Sequence, residues 1–112
     1  MDKIKKYEAY ILKILNDYAS VKYANMPEAE NQVIADKENH HYELVTIGWD
    51  RDEFVHHCPL HFDIKNGKIW VQVNWTDDDP VGDLESMGVP KSDIVLGWLP
   101  EDMREMSEYA VN

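Results

Sequence analysis

The chain has 112 residues, 44% apolar and 29% charged, a composition typical of one globular domain that buries a core without disulfides or structural metal. Its 22 acidic and 11 basic residues give a formal net charge of −11, whereas non-specific DNA binding needs a basic surface, so direct nucleic-acid binding is not expected. Because the sequence has neither a membrane-spanning apolar run nor a signal-peptide pattern, and its single cysteine, Cys58, cannot form an internal disulfide, we expect a cytoplasmic protein with no membrane contact.

An amphipathic helix is predicted over residues 2–19, because apolar residues recur there at intervals of three and four. This stripe consists of Ile4, Tyr7, Ile11, Ile14, Leu15 and Tyr18. Helices of this length usually bury such a stripe in their own domain, so it is expected to cover one face of a sheet. Residues 21–31, which include Pro27, are predicted to form a connection, and strands are predicted at 31–36 and 40–50.

A long hairpin over residues 51–76, closed by Asn66 and Gly67, is the central prediction. Asn-Gly between alternating apolar residues is the strongest short-range hairpin signal, because the two-residue turn needs positive φ at both positions. The predicted apolar pairs are Ile64 with Ile69, Phe62 with Val71, Leu60 with Val73 and Cys58 with Trp75. The predicted polar pairs are Asp63 with Trp70, His61 with Gln72 and Pro59 with Asn74.

A second turn at Arg51 and Asp52 is predicted to join the preceding strand to this hairpin. The apolar face then continues through Trp49 opposite Phe54, Ile47 opposite His56 and Val45 opposite Cys58. The polar face continues through Tyr42 opposite His61 and Thr46 opposite His57. Three consecutive strands therefore agree on one core face.

The C-terminal third predicts short helices. Asp77, Asp78 and Asp79 precede Pro80, so a carboxylate caps a helix with proline at its first position, and Gly88 ends that helix. Residues 94–98 form a short apolar segment, and Pro100 opens a last helix toward residue 109. The predicted fold is a single α+β domain over residues 1–112. It has an antiparallel sheet of about four strands, an N-terminal amphipathic helix and two short C-terminal helices packed on the sheet.

The polar sheet face carries the main candidate site. Tyr42, His61 and Gln72 are expected in a row, with Asp63, Trp70 and His40 beside them. A histidine next to a carboxylate and a phenol suits a general base, but an aromatic sheet face more often marks an interaction surface.

Neither a metal nor an activated thiol is predicted. His57 and His61 lie about 13 Å apart along a strand, too far to share one ion. Cys58 alternates with core residues and is interpreted as a small buried hydrophobe. No cofactor is therefore predicted.

Three separated motifs resemble the XisI family, the fdxN element excision controlling factor. They are residues 41–50 ending in Asp50, residues 58–72 from Cys58 to Gln72, and residues 88–97 from Gly88 to Gly97, with a terminal Tyr-Ala-Val-Asn over residues 109–112. The likeness spans nearly the whole chain in the same order. It implies a small α+β accessory protein in control of the excision of a DNA element in filamentous cyanobacteria, where a recombinase performs the chemistry and a nuclease-like factor, XisH, accompanies XisI.

With this resemblance, we predict a non-enzymatic interaction module that binds an XisH-like partner and that also forms a homodimer. The predicted partner-binding residues are Tyr42, His61, Asp63, Trp70 and Gln72, with Asp77, Asp78 and Asp79 as an electrostatic docking edge. The alternative is a small hydrolytic or metal-dependent enzyme that uses His61 and Asp63.

Overall fold

The computed structural model describes residues 2–21 and 28–112 and contains one five-stranded sheet. Its strands are β1 Glu28–Asp36, β2 His41–Asp50, β3 Glu53–Lys65, β4 Lys68–Asn74 and β5 Ile94–Leu96; its helices are α1 Lys3–Ala19, α2 Pro80–Ser86 and α3 Glu101–Arg104. The sheet order follows the chain order; β1 to β4 are antiparallel neighbours, and β5 is parallel to β4. The α+β prediction is confirmed, with the segment 94–98 supplying a fifth strand.

Helix α1 confirms the predicted amphipathic stripe. Asp2 caps it by accepting a hydrogen bond from the backbone N–H of Ile4 at 2.9 Å. The buried residues of the helix are Tyr7, Ile11, Ile14 and Leu15. Of the predicted connection at 21–31, residues 22–27 lie outside the described residues, and residues from Glu28 onward already belong to β1.

The core lies between the sheet and the helices α1 and α2. From the sheet it contains Tyr42, Leu44, Leu60, Phe62, Ile64, Ile69, Val71 and Ile94. From α2 it contains Val81 and Leu84, next to the four buried residues of α1. The opposite side of the sheet is called the outer face below. None of the helices within residues 2–21 and 28–112 is long and apolar enough to cross a membrane.

The hairpin of β3 and β4 confirms the Asn66-Gly67 turn, since both residues have positive φ. The register is as predicted from the turn to the pair Phe62 and Val71, and then a β-bulge shifts it. Beyond the bulge His61 lies opposite Val73 and Leu60 opposite Asn74, so the predictions that paired His61 with Gln72 and Leu60 with Val73 were wrong. The backbone N–H of Trp75 donates to Pro59 O, so the pairings of Cys58 with Trp75 and Pro59 with Asn74 were wrong too.

A second bulge interrupts β2 and β3. The predicted pairs next to the Arg51-Asp52 turn are correct: Trp49 with Phe54, Ile47 with His56 and Thr46 with His57. Thr46 pairs with His57, and Leu44 pairs with Leu60. Between these pairs β2 has one residue, whereas β3 has two, Cys58 and Pro59, so β3 carries the extra residue of the bulge. Because side chains alternate along β2 and its core residues are Tyr42 and Leu44, the odd-numbered residues lie on the outer face. The prediction that Val45, Ile47 and Trp49 extend the core face was therefore wrong.

The C-terminal elements follow their capping signals. Asp79 accepts a hydrogen bond from the backbone N–H of Gly82 at 2.9 Å, Pro80 begins α2, and Gly88 has a φ of +106° after the helix. Helix α3 has four residues and is shorter than predicted. The chain then returns to the sheet, where the N–H of Ala110 donates to Ile94 O at 2.9 Å.

Candidate functional site

The outer face of the sheet is covered on one side and open on the other. Residues 97–112, called the C-terminal arm, lie over β4 and β5, where Trp70 is only 9% exposed. The arm residue Arg104 places its guanidinium carbon 5.3 Å from the centre of the Trp70 ring. Over β2 and β3, by contrast, Trp49 is 49% and Phe54 52% exposed. The open side is therefore the part of this face that other molecules can reach.

A polar cluster occupies the outer face where β2 begins. His41 lies opposite Asp63 in the register, and its Nδ1 is 2.8 Å from Asp63 Oδ1. His61, two residues before Asp63 on the same strand, places its Nε2 2.7 Å from the same oxygen. Gln72 donates from Nε2 to the other carboxylate oxygen at 3.2 Å, and Glu43 Oε1 lies 3.4 Å from His61 Nδ1. These residues are called the histidine cluster.

The cluster changes the acidity of its members. The hydrogen bond from His41 to Asp63, together with the negative charge of that carboxylate, raises the pKa of His41. Partial burial alone would raise the pKa of Asp63, but the hydrogen bonds from His41 and His61 outweigh burial and lower it. The raised pKa of His41 and the lowered pKa of Asp63 both favour the ion pair of a charged imidazole with a carboxylate.

We expect an NMR titration of the imidazole resonances to show a midpoint for His41 above the ordinary histidine value of about 6.5. Because the folded-state pKa is the higher one, protonated His41 stabilises the fold fully below the unfolded pKa, and this contribution is lost as pH rises through the folded pKa. The variant Asp63→Asn, titrated with a chelator present, should return the His41 midpoint toward the ordinary value. An identical midpoint in both proteins would contradict the assigned cause.

Of the five residues predicted on the polar sheet face, the structure brings three together by hydrogen bonds. His61, Asp63 and Gln72 meet in the histidine cluster. Trp70 lies opposite Asp63 as predicted but is buried under the C-terminal arm.

The placement of Tyr42 on the polar face was wrong, because the bulge in β3 pairs it with Phe62. It is fully buried on the helix side. There its hydroxyl donates to Glu8 Oε2 at 2.6 Å. Burial raises the pKa of this hydroxyl, and the hydrogen bond to Glu8 raises it further.

His41 and Glu43 are the cluster members that sequence reasoning missed, and the predicted register placed His40 in the position of His41. His40 instead forms a hydrogen bond with the buried hydroxyl of Tyr42, with its Nδ1 3.0 Å from the hydroxyl oxygen. The available signal was Pro59. A proline cannot donate to the ladder of a central strand and is confined there to bulges, and a bulge at Pro59 shifts the register so that His41 faces Asp63.

The triple aspartate lies apart from the histidine cluster. Asp77 and Asp78 line a cleft of about 710 Å³ together with Tyr18 and Trp75, whereas Asp79 caps α2. Cys58 also lines this cleft. Its Sγ donates to Leu60 O at 3.1 Å, and burial raises the pKa of the thiol, so Cys58 has the character of an unreactive thiol.

The turn between β2 and β3 lies at the opposite end of the open face from the histidine cluster. Residues 49–54, which form this turn and the strand ends beside it, are called the hairpin tip. Trp49 and Phe54 lie opposite each other with ring centroids 5.2 Å apart in an edge-to-face arrangement. Four acidic residues neighbour the pair in sequence or in register, with Arg51 as the basic residue of the turn. They are Glu28 opposite Trp49 on β1, and Asp50, Asp52 and Glu53 in the tip itself. The tip is therefore both aromatic and acidic.

Comparison with known proteins agrees with this fold over its whole length. The family model described as XisI protein matches residues 1–111. The crystal structure of a XisI-like protein from Anabaena variabilis ATCC 29413 is similar at 40% identity and a TM-score of 0.90, covering 97% of this chain and 99% of that one.

A second similar structure is that of the fdxN element excision controlling factor XisI from the same organism. It has 29% identity and a TM-score of 0.83, and the match covers 99% of this chain and 100% of the other. A search of curated proteins gives no match. The chain belongs to the XisI family.

Proposed function

We propose that this protein is a non-catalytic regulatory factor that controls the excision of a site-specific DNA element by binding another protein, an XisH-like partner of nuclease fold. Membership of the XisI family supports the regulatory role, since a similar protein carries the name excision controlling factor. The net charge of −11 argues against direct binding to DNA and favours a basic partner. A nuclease-like protein has such a basic surface where it meets nucleic acid.

The hairpin tip is the observation that carries the proposal. Aromatic side chains are enriched at the energetic centres of protein interfaces, and Trp49 and Phe54 are half exposed on either side of the Arg51-Asp52 turn. The acidic residues of the tip suit a basic partner, because charge complementarity speeds association and suppresses incorrect partners. We therefore propose the hairpin tip as the main contact region for the partner.

The predicted residues His61, Asp63 and Gln72 share the outer face with the tip, and we propose them as a second contact region. The triple aspartate Asp77 to Asp79 remains a proposed docking edge that acts by charge. Self-association into a homodimer through the open face is a further part of the proposal, to be checked by light scattering on the isolated protein.

We expect the double variant Trp49→Ala with Phe54→Ala to bind the XisH-like protein at least about 100-fold more weakly, because truncating one hot-spot side chain costs about 2 kcal/mol or more and the costs of two neighbours add only in part. Isothermal titration calorimetry with the co-expressed partner measures this. The matched control is Trp98→Ala with Met103→Ala, which removes two side chains of similar exposure, 47% and 51%, from the C-terminal arm.

The control variant should bind within about fivefold of the wild type, a difference of about 1 kcal/mol. Thermal melting of both variants confirms that each is folded before binding is compared. Wild-type affinity in the tip variant, or equal losses in tip and control variants, would show that the tip is not the contact surface.

A further inference from the structure

We propose that His41, His61 and Asp63 form a binding site for a divalent transition-metal ion, with Zn²⁺ as the probe ion. Two imidazoles and one carboxylate are a donor set that such ions accept, with an open position left for water or another ligand. The proposed site lies at the opposite end of the outer face from the hairpin tip and does not depend on the proposed function.

The donor atoms already converge. One ligand atom from each of the three residues lies within 4.8 Å of the others. His41 Nδ1 and His61 Nε2 both point at Asp63 Oδ1, from 2.8 and 2.7 Å. Ligands bound tetrahedrally at about 2.0–2.2 Å lie roughly 3.3 Å from one another, so an ion fits after each nitrogen and the oxygen separate by about 0.5 Å.

The backbone holds the three residues in place. His41 on β2 is the direct cross-strand partner of Asp63 on β3, and His61 precedes Asp63 by two residues on the same face. Sites built on strands are better ordered than sites built on loops, and β3 is a central strand of this sheet.

A set of supporting side chains surrounds the donors, as metal sites in proteins require. A ligating histidine usually donates its second N–H to a carboxylate, and Glu43 Oε1 lies 3.4 Å from His61 Nδ1 in that position. Gln72 holds the second oxygen of Asp63 by donating to Oδ2 at 3.2 Å, so that Oδ1 is the carboxylate oxygen that faces the two imidazoles. Glu43 and Gln72 have the positions and chemistry of second-layer residues that orient ligands.

Charge and access also favour a cation. Asp36, the cross-strand partner of His41 on β1, adds a carboxylate next to Glu43 and Asp63. The His41 side chain is more than half exposed, whereas His61 and Asp63 are mostly covered. An ion therefore has an entry path from the His41 side and a solvent-facing coordination position.

The test is calorimetric titration of ZnCl₂ into tag-free, chelator-treated protein, with Co²⁺ visible absorption as a spectroscopic measure of coordination. We expect one ion per chain, and loss of binding in the double variant His41→Gln with Asp63→Asn. Glu43→Gln should weaken binding about 10-fold, as expected for a second-layer residue. The matched control is His56→Gln with His57→Gln, which removes two exposed histidines of the same strand from outside the cluster.

The control should bind Zn²⁺ like the wild type. Circular dichroism checks that every variant is folded, and His41 is exposed enough for substitution to leave the core intact. If the wild type takes up no Zn²⁺, or if binding survives in the His41 and Asp63 double variant or disappears in the His56 and His57 control, the proposal is wrong.

Discussion

Replacing Trp70 with alanine is expected to destabilise the protein by about 3–5 kcal/mol, the range for removing a large buried aromatic side chain. Trp70 is 9% exposed and two cations lie near its ring, with Lys65 Nζ 4.6 Å and the Arg104 guanidinium carbon 5.3 Å from the ring centre. Its loss removes both the packing beneath the C-terminal arm and these cation contacts. Urea denaturation measures the free energy of unfolding.

Trp75→Ala is the matched control, because Trp75 is 83% exposed at the end of the same strand region. Its effect should stay within about 0.5 kcal/mol, as for most surface substitutions. Limited proteolysis should also show earlier cleavage of the C-terminal arm in Trp70→Ala than in the control. Equal stability of the two variants would mean that the arm does not pack on Trp70. Because Trp70 supports the fold, its substitution is unsuited to mapping partner contact.

Replacing Gly48 with alanine is expected to destabilise the protein by about 2–5 kcal/mol, through backbone strain and crowding together. Gly48 has a φ of +142°, a conformation that residues with a side chain rarely adopt. A Cβ atom there would lie 2.6 Å from Glu28 O and 2.7 Å from Ala29 Cα. Both contacts are with the backbone of β1, so relief requires the edge strand to move away from β2.

The variant Gly88→Ala is the control that introduces backbone strain without steric crowding. Gly88 also has positive φ, but a Cβ atom there has no heavy atom within 4 Å. We expect a loss of about 1–2 kcal/mol from conformation alone. Hydrogen exchange should report faster exchange of β1 amides in Gly48→Ala only. If Gly48→Ala is no less stable than Gly88→Ala, the close approach of β1 to Gly48 is not as described.

Local signals were sufficient for much of the fold. The stripe of α1, the cap at Asp79, the Asn66-Gly67 turn and the Arg51-Asp52 turn each depend on neighbouring residues. Such signals are set by backbone conformation and periodicity over a few residues, and therefore can be predicted from sequence.

Register beyond a bulge could not be predicted in the same way. One extra residue reverses which side chains share a face, and this moved Tyr42 into the core and brought His41 to Asp63. Pro59 in a central strand was the indication of a bulge, whereas the bulge at Gln72 has no comparable signal.

The burial of Trp70 was also beyond local reasoning. It depends on a three-residue parallel strand, Ile94–Leu96, and on an arm that returns to the sheet more than thirty residues after Trp70 in sequence. Contacts between distant residues leave no periodic pattern in either segment. The polar group of His61, Asp63 and Gln72 was nevertheless predicted together, although the predicted pairing of His61 with Gln72 was wrong.

The most direct test of the proposed regulatory role is a pull-down of the tagged protein from its source organism, with the recovered complex sized by light scattering. Our account predicts recovery of an XisH-like protein at fixed stoichiometry, in a complex that weakens as salt is raised because the surfaces are oppositely charged. Repeating the pull-down with the Trp49→Ala and Phe54→Ala variant should lose that partner. Recovery of the protein alone, or bound directly to DNA without a partner protein, would contradict the account.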